Sequence, residues 1–294
     1  SSCKCRVMSG TTEMLAAESG LTESEKADGW ILSCVRSATS DILLEVDDLG
    51  GVQLPAIRTL PARISSIERL APDVVAVALR LPPNTSFEFI PGQYIDVIGP
   101  QAIRRSYSVA SAPSSDNRLE LHIRAVEHGV MSAYWFENAQ VNDLVRLSGP
   151  LGTFFLRRFS GKHLIFLATG TGIAPVKAIL EQLAGARADE KPESITVLWG
   201  GRTERDLYFD VTAIPGDFSF IPVLSRPNTD WTGTTGYVQD ALLAMQLPLA
   251  ESIVYACGSD AMIHSAKSAL ENAGLPSKCF YSDAFVCSAS EIST

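Results

Sequence analysis

Three short blocks of this sequence combine residue types that do chemistry together. The first is Arg105-Ser106-Tyr107-Ser108. On a strand, alternation puts Arg105 and Tyr107 on one face and Ser106 and Ser108 on the other. A guanidinium pairs with phosphate oxygens and an aromatic ring can stack on isoalloxazine, so the block suits a flavin. About sixty residues later comes Gly170-Thr171-Gly172-Ile173-Ala174-Pro175. Gly170 and Gly172 let the backbone approach a pyrophosphate, and the N–H groups of a helix start would face its charge. Pro175 is tolerated there because a first-turn N–H has no helical partner. The third block, Cys257-Gly258-Ser259, follows an apolar run and precedes a helix, so it is expected at the same sheet edge, its thiol toward the nicotinamide end. Their order predicts a hydride passing from a pyridine dinucleotide to a flavin. Taken singly, each block has a plainer reading: a tight turn, a core tyrosine with a surface arginine, an inert buried thiol.

The elements that must position these blocks fall into three stretches. Residues 1–52 begin with a Cys-rich strand, Cys5–Met8, then a short helix from a Thr22 N-cap with Glu25 completing a capping box. Asp41–Val46 reads as a strand, and Gly50, Gly51 and Pro55 mark a linker. Residues 53–157 read as all-β: Ala62–Ile67, Val74–Leu81, Gln93–Ile98, Arg105–Ser111, Arg118–Val126 and Leu144–Leu147 fit a small antiparallel barrel, with a helix at Met131–Glu137. Residues 158–294 alternate buried strands (Leu164–Ala168, Ile195–Trp199, Phe218–Leu224, Ile253–Ala256) with helices (Ala174–Leu183, Asp240–Met245, Ala261–Ala273). That alternation predicts a doubly wound parallel sheet.

Composition excludes several classes. With 46% hydrophobic and 19% charged residues in 294, the chain is an ordinary globular protein of about two domains and part of a third. A net charge of −9 argues against nucleic-acid binding. The first 52 residues hold nine acids and four bases, a module able to steer toward a basic partner. Apolar runs are strand-length, so no membrane insertion is expected. Six cysteines without an export leader predict reduced thiols or metal ligands in the cytoplasm.

Together the blocks resemble the ferredoxin–NADP reductase superfamily. The matching residues are Pro91-Gly-Gln-Tyr94, Arg105-Ser-Tyr-Ser108, Leu121-His-Ile-Arg124, Gly149-Pro-Leu-Gly-Thr153, Gly170-Thr-Gly-Ile-Ala-Pro175, Tyr255-Ala-Cys-Gly-Ser259 and Ser282-Asp-Ala-Phe285. Within it the chain resembles three-part iron–sulfur flavoreductases: reductase components of aromatic-ring oxygenases and phenol hydroxylases. Through Arg80-Leu-Pro-Pro83, Trp199-Gly200 and Tyr281-Ser-Asp-Ala-Phe-Val286, it also resembles the CDP-6-deoxy-Δ3,4-glucoseen reductases. The resemblance implies a mixed fold: a partial N-terminal β-grasp ferredoxin module, an antiparallel β-barrel FAD domain and an α/β NAD domain. It implies FAD, NADH or NADPH, and a plant-type 2Fe–2S centre. By position, Arg105, Tyr107 and Ser108 would hold the flavin phosphate, ring and ribityl end. His122, Ile123 and Arg124 would line FAD largely through backbone, and Gly129, Val130, Met131 and Ser132 would take its pyrophosphate. Gly170, Thr171, Gly172 and Pro175 would bind the dinucleotide, with Arg202 helping. Cys257, Gly258 and Ser259 would flank the nicotinamide, and Phe285 would cover the flavin. Cys257, Ser108 and Phe285 are the groups placed nearest the reacting atoms.

The cluster motif is incomplete. Plant-type clusters take four thiolates in a C-x₄-C-x₂-C pattern plus a distant fourth. Cys3 resembles the third and Cys34 the fourth, so the first two would precede Ser1, and the reading expects a longer native protein carrying the cluster. The expected activity delivers a hydride from NADH to FAD, then single electrons through the cluster to an acceptor: an oxygenase component, a ferredoxin or a deoxysugar dehydratase. NADPH stays open as donor, because Ser225-Arg226 resembles a 2′-phosphate grip. The alternatives are a flavin-only NAD(P)H reductase and a non-catalytic flavin-binding subunit.

Overall fold

The computed structural model describes residues 4–18, 21, 23–46, 49, 51–83, 85–187 and 190–285. The chain divides into two compact units, Ser1–Gln53 and Leu54–Thr294.

In the first unit, β1 (Lys4–Ser9), β3 (Trp30–Leu32) and β5 (Leu43–Glu45) form a three-stranded sheet with β1 central. β2 (Thr12–Met14) pairs with β4 (Arg36–Ala38), and α1 spans Glu23–Ala27. The expected Thr22 cap, Cys3 and the linker residue Gly50 lie outside the described residues. Cys5 is buried, whereas Cys34 is exposed on the short turn Ser33–Val35. Glu18 holds that turn from both sides. Its carboxylate accepts from Leu32 N and from the Arg36 guanidinium at 2.7 to 2.8 Å. The Arg36 hydrogen bond, above all, holds its carboxyl down to about 2.

The second unit opens with a six-stranded antiparallel sheet of β6 (Arg58–Ala71), β7 (Val74–Arg80), β8 (Tyr94–Ile98), β9 (Arg104–Ser108), β10 (Arg118–Arg124) and β11 (Leu144–Leu151). The order β10-β7-β6-β11-β8-β9 would leave β9 and β10 as edges. A bridge between Val109 and Leu121 joins those edges and closes the barrel around Ile64, Leu79, Ile95, Leu121 and Leu147. The expected helix is α2 (Val130–Ala133), which widens into a π-turn over Tyr134–Asn138, with Ala139 N donating to Tyr134 O at 2.7 Å.

Downstream lies a six-stranded parallel sheet: β12 (His163–Thr169), β13 (Ser194–Gly201), β14 (Ser219–Leu224), β15 (Thr234–Thr235), β16 (Ser252–Gly258) and β17 (Phe280–Ala284). The helices are α3 (Ile173–Ala184), α4 (Val238–Ala244) and α5 (Asp260–Asn272). Successive β12 residues face opposite ways: Leu164, Phe166 and Ala168 pack with α3, while Ile165 and Leu167 pack with α4 and α5. Both faces are therefore covered, as a doubly wound sheet requires. The order β15-β14-β13-β12-β16-β17 reverses between β12 and β16. Two strands here were not expected from sequence. β15 has two residues, and β17 mixes Tyr, Ser and Asp into a half-exposed edge, so neither gives an apolar run.

Candidate active site

The reversal point is where ligands settle in such sheets, beyond the strand ends. β12 ends in the turn Gly170–Gly172, which runs directly into α3, and β16 ends at Gly258 with Ser259 capping α5. A Cβ on Gly172 would fall 2.1 Å from the Cys257 carbonyl oxygen, and one on Gly258 would fall 2.1 Å from Thr169 Oγ1. Gly170 adopts φ +54° and Gly258 φ +150°, in the range that favours glycine. Glycine therefore lets the two turns close on each other, and two helix starts lie side by side, an arrangement that favours an anion. Pro175 is buried in the first turn of α3. This cradle fits a dinucleotide pyrophosphate. Among neighbouring strand ends, Arg202 and Arg226 are both exposed, and Arg226 N donates to Arg202 O at 2.7 Å. Asp206 fixes the loop between them and the sheet by accepting from the backbone N–H of Arg202 and Thr203.

On the barrel, β9 presents Arg104, Arg105 and Ser106 to solvent and buries Ser108. Ser106 Oγ donates to Asp96 Oδ1 at 2.6 Å, so its oxygen is already oriented. The Tyr107 ring is half-buried, stands edge-on to Trp135 with centroids 6.2 Å apart, and accepts a hydrogen bond from Trp135 Nε1. Burial pushes its phenol up to about 12, so the ring is neutral and rigidly held. Trp135 reaches Tyr107 from the π-turn. Met131 anchors the start of the same helix, its sulfur lying 2.6 Å from where a Gly99 Cβ would be. Ser132 Oγ accepts from Val126 N at 2.8 Å, while Gly129 and Val130 lead the chain in. An exposed arginine row beside a fixed aromatic ring and a helix start fits a flavin nucleotide.

His122 and Arg124 turn their side chains away from the barrel core, while Ile123 points into it. Arg124 Nη2 donates to Asp206 Oδ1 at 3.3 Å, its Nε lies 3.2 Å from Asp73 Oδ2, and its Nη1 lies 3.0 Å from the Cβ position of Gly170. It thus joins the barrel to both loops of the dinucleotide cradle.

Cys257 is fully buried, and burial pushes its thiol well above the ordinary range, so it is a neutral packing group. Beside it across the β16–β17 pairing stands Asp283, whose carboxyl burial pushes up to about 6. Phe285 is half-buried, and its N–H donates to Gly258 O at 2.8 Å. Asp283 was not singled out from sequence, although an acid inside Phe280–Ala284 was the available signal. Arg124 as a link to Asp206 was equally unreadable, because the two are far apart in the chain.

Of the expected cluster ligands, Cys34 is described and Cys3 is not. Among the described residues no group of three or more His, Cys, Asp or Glu could hold a metal ion. The described residues do not by themselves supply the four thiolates of such a cluster.

Comparison with known proteins bears on these features. An oxidoreductase FAD-binding domain matches residues 61–156 and an oxidoreductase NAD-binding domain matches residues 166–268. The CDP-6-deoxy-L-threo-D-glycero-4-hexulose-3-dehydrase reductase of Yersinia pestis is 39% identical, covering 97% of this chain and 86% of that protein. The xylene/toluene monooxygenase electron transfer component XylA of Pseudomonas putida is 31% identical, covering 96% of this chain and 81% of its own length. The crystal structure of the Amycolatopsis cytochrome P450 reductase GcoB superposes with a TM-score of 0.75 at 29% identity, covering 97% and 87% of the two chains.

Proposed function

The chain belongs to the ferredoxin reductase-like family of FAD- and NAD-binding oxidoreductases, and on that premise we propose that it takes a hydride from NADH and delivers electrons to a separate acceptor protein. It is an NAD(P)H-dependent flavoprotein oxidoreductase. Bound FAD supplies the exchange between two-electron and one-electron chemistry. The chain's residues do the rest. Gly170, Thr171, Gly172 and Pro175 open the α3 start to the dinucleotide, and Gly258 and Ser259 present the α5 start beside it. Arg105 pairs with flavin phosphate, Tyr107 fixes the ring plane, and Val130 to Ser132, led in by Gly129, offer N–H groups to the pyrophosphate. His122, Ile123 and Arg124 line the flavin through their backbone. Cys257, Ser108 and Phe285 bracket the reacting faces, Cys257 as a neutral wall and Phe285 as the cover. The observation that carries the reading is the junction of β12 and β16, where two glycine turns interlock beside an arginine-bearing barrel edge.

Four finer points belong to this reading. The acceptor is a dehydratase of deoxysugar synthesis or an oxygenase component, as the names of the Yersinia and Pseudomonas relatives indicate for those proteins. The full-length protein carries a 2Fe–2S centre with Cys3 and Cys34 among its ligands. NADH is the donor, with Arg202 and Arg226 allowing NADPH as a weaker one. No helix among the described residues is long and apolar enough to cross a membrane, and the cytoplasm is the proposed location.

The test is steady-state oxidation of NADH and NADPH with ferricyanide as acceptor, alongside FAD, iron and sulfide analysis of the full-length protein. Turnover with FAD, iron and sulfide present supports the whole reading; FAD with neither iron nor sulfide leaves a flavin-only reductase. Replacing Arg226 with Ala is expected to raise KM for NADPH about tenfold, one charge-assisted contact to a 2′-phosphate, and to leave NADH within twofold.

A further inference from the structure

We propose that Trp199 and Tyr208 are positioning residues tying the aim of the Gly170–Gly172 turn to a half-buried charge cluster shared by the barrel and α3. The inference rests on the nucleotide-binding role given to that turn under Proposed function. Trp199 is fully buried near the end of β13, and its Nε1–H donates to the Gly170 carbonyl at 2.9 Å. Gly170 stands at φ +54°, so its carbonyl direction fixes where the following N–H groups point. An indole behind that carbonyl holds the turn in one of the few orientations that aim those groups outward.

The indole is in turn held by Tyr208, whose ring meets it edge-on, centroids 5.0 Å apart and planes at 87°. The Tyr208 hydroxyl lies 3.1 Å from His122 Nδ1, and His122 Nε2 lies 2.7 Å from Glu120 Oε1. Burial opposes the charge on Glu120, yet the His122 hydrogen bond and the Lys177 ammonium outweigh it and hold the carboxyl below its usual range. A carboxylate only accepts, so Nε2 donates to it, and the other ring nitrogen faces the Tyr208 hydroxyl. One contact path therefore runs from Glu120 through His122 and Tyr208 to Trp199 and the turn.

The same cluster grips the helix that the turn begins. Lys177 of α3 reaches Ala110 O at 3.0 Å, Glu181 Oε1 at 2.7 Å and Glu120 Oε1 at 3.4 Å. Glu181 Oε2 accepts from Ala112 N at 2.8 Å. A cavity of about 160 Å³ lined by Glu68, Glu120, His122 and Lys177 leaves the cluster room to rearrange, while Trp199 and Tyr208 are closely packed. A change at Glu120 thus reaches the turn through α3 and through the aromatic pair together. By linkage, whatever alters the cluster alters nucleotide affinity, and nucleotide binding alters the cluster by the same factor.

The experiment uses the full-length FAD-loaded protein and the variants Trp199→Phe, Tyr208→Phe and the double replacement. NAD⁺ affinity is read by calorimetry, and NADH KM and kcat by ferricyanide reduction. Trp199→Phe keeps the ring and loses the donor; it should weaken NAD⁺ about fivefold, the worth of one neutral hydrogen bond. KM should follow, with kcat within twofold and FAD content unchanged. Tyr208→Phe should weaken NAD⁺ about threefold, and the double variant should be no weaker than Trp199→Phe, because both break one route. Unchanged affinity, multiplying effects, or a fall in kcat at constant KM would overturn the proposal. Should Trp199→Phe lose FAD, Tyr208→Phe alone decides: a threefold loss supports the route and wild-type affinity overturns it. A wild-type protein that binds no NAD⁺ removes the functional reading and this inference with it, whereas a wild type that binds while its variants bind equally removes only this inference.

Discussion

At the scale of single residues, Asp283 is the group whose chemistry the fold changes most usefully. Burial lifts its carboxyl from an ordinary 3.8 to about 6. Because the folded value is the higher one, its protonated form is favoured by folding; that stabilisation is complete below about pH 3.8 and is lost as pH rises through 6. A carboxyl near neutrality beside Cys257 can hold or release a proton where the proposed hydride transfer occurs. The rate of flavin reduction by NADH, followed by stopped flow, should therefore inflect near pH 6, and Asp283→Asn should flatten that inflection. An inflection that survives the replacement would assign it elsewhere. At this scale the sequence offers candidates where residue types that could act together lie in adjacent letters. Arg105-Ser-Tyr-Ser108 and Gly170-Thr-Gly172 announce themselves, whereas Asp283 acquires its character from burial across β16 and Arg124 its role from Asp206. Neither property is written in neighbouring residues.

At the scale of elements, the close contact of two strand ends is the decisive feature. Gly172 has ordinary helical angles (φ −60°, ψ −14°), so alanine could adopt its backbone; what forbids it is the Cys257 carbonyl 2.1 Å from the new methyl. Gly172→Ala should force β12 and β16 apart, lower the thermal midpoint by an amount equivalent to about 1–3 kcal/mol, and abolish measurable NAD⁺ binding while FAD is retained. Loss of FAD together with NAD⁺ would show that the turn supports the barrel instead. Most elements were legible from runs of apolar residues, and β12, β13 and β16 are buried on both faces as such runs require, while β14 is buried only at Val223 and Leu224. The π-turn at Tyr134–Asn138 was not, because an apolar helical stripe looks the same whether each carbonyl bonds four or five residues on. β17 escaped because an edge strand needs no continuous apolar run.

At the scale of the whole molecule, the chain divides into two compact units, and each is expected to unfold in a transition of its own. In the first, Glu18 is buried with Arg36, and its carboxyl is held near 2 against an ordinary 4.5. The folded value is the lower one, so its contribution is complete above about pH 4.5 and lost as pH falls through 2. Replacing Glu18 with Ala removes the acceptor of Leu32 N–H and of the part-exposed Arg36 guanidinium and should cost the first unit about 1–3 kcal/mol, seen as an earlier denaturant transition of that unit alone. A single transition shifted for the entire chain would contradict that separation. Which acceptor the molecule serves was never legible, since an acceptor touches only a docking surface and leaves no motif. The measurement that tests the central claim most directly is an anaerobic titration of the full-length protein with NADH, recorded by visible absorption and electron paramagnetic resonance. The account predicts bleaching of a flavin band by stoichiometric NADH together with a reduced-cluster signal; a protein that binds FAD but is not bleached by NADH or NADPH would contradict it.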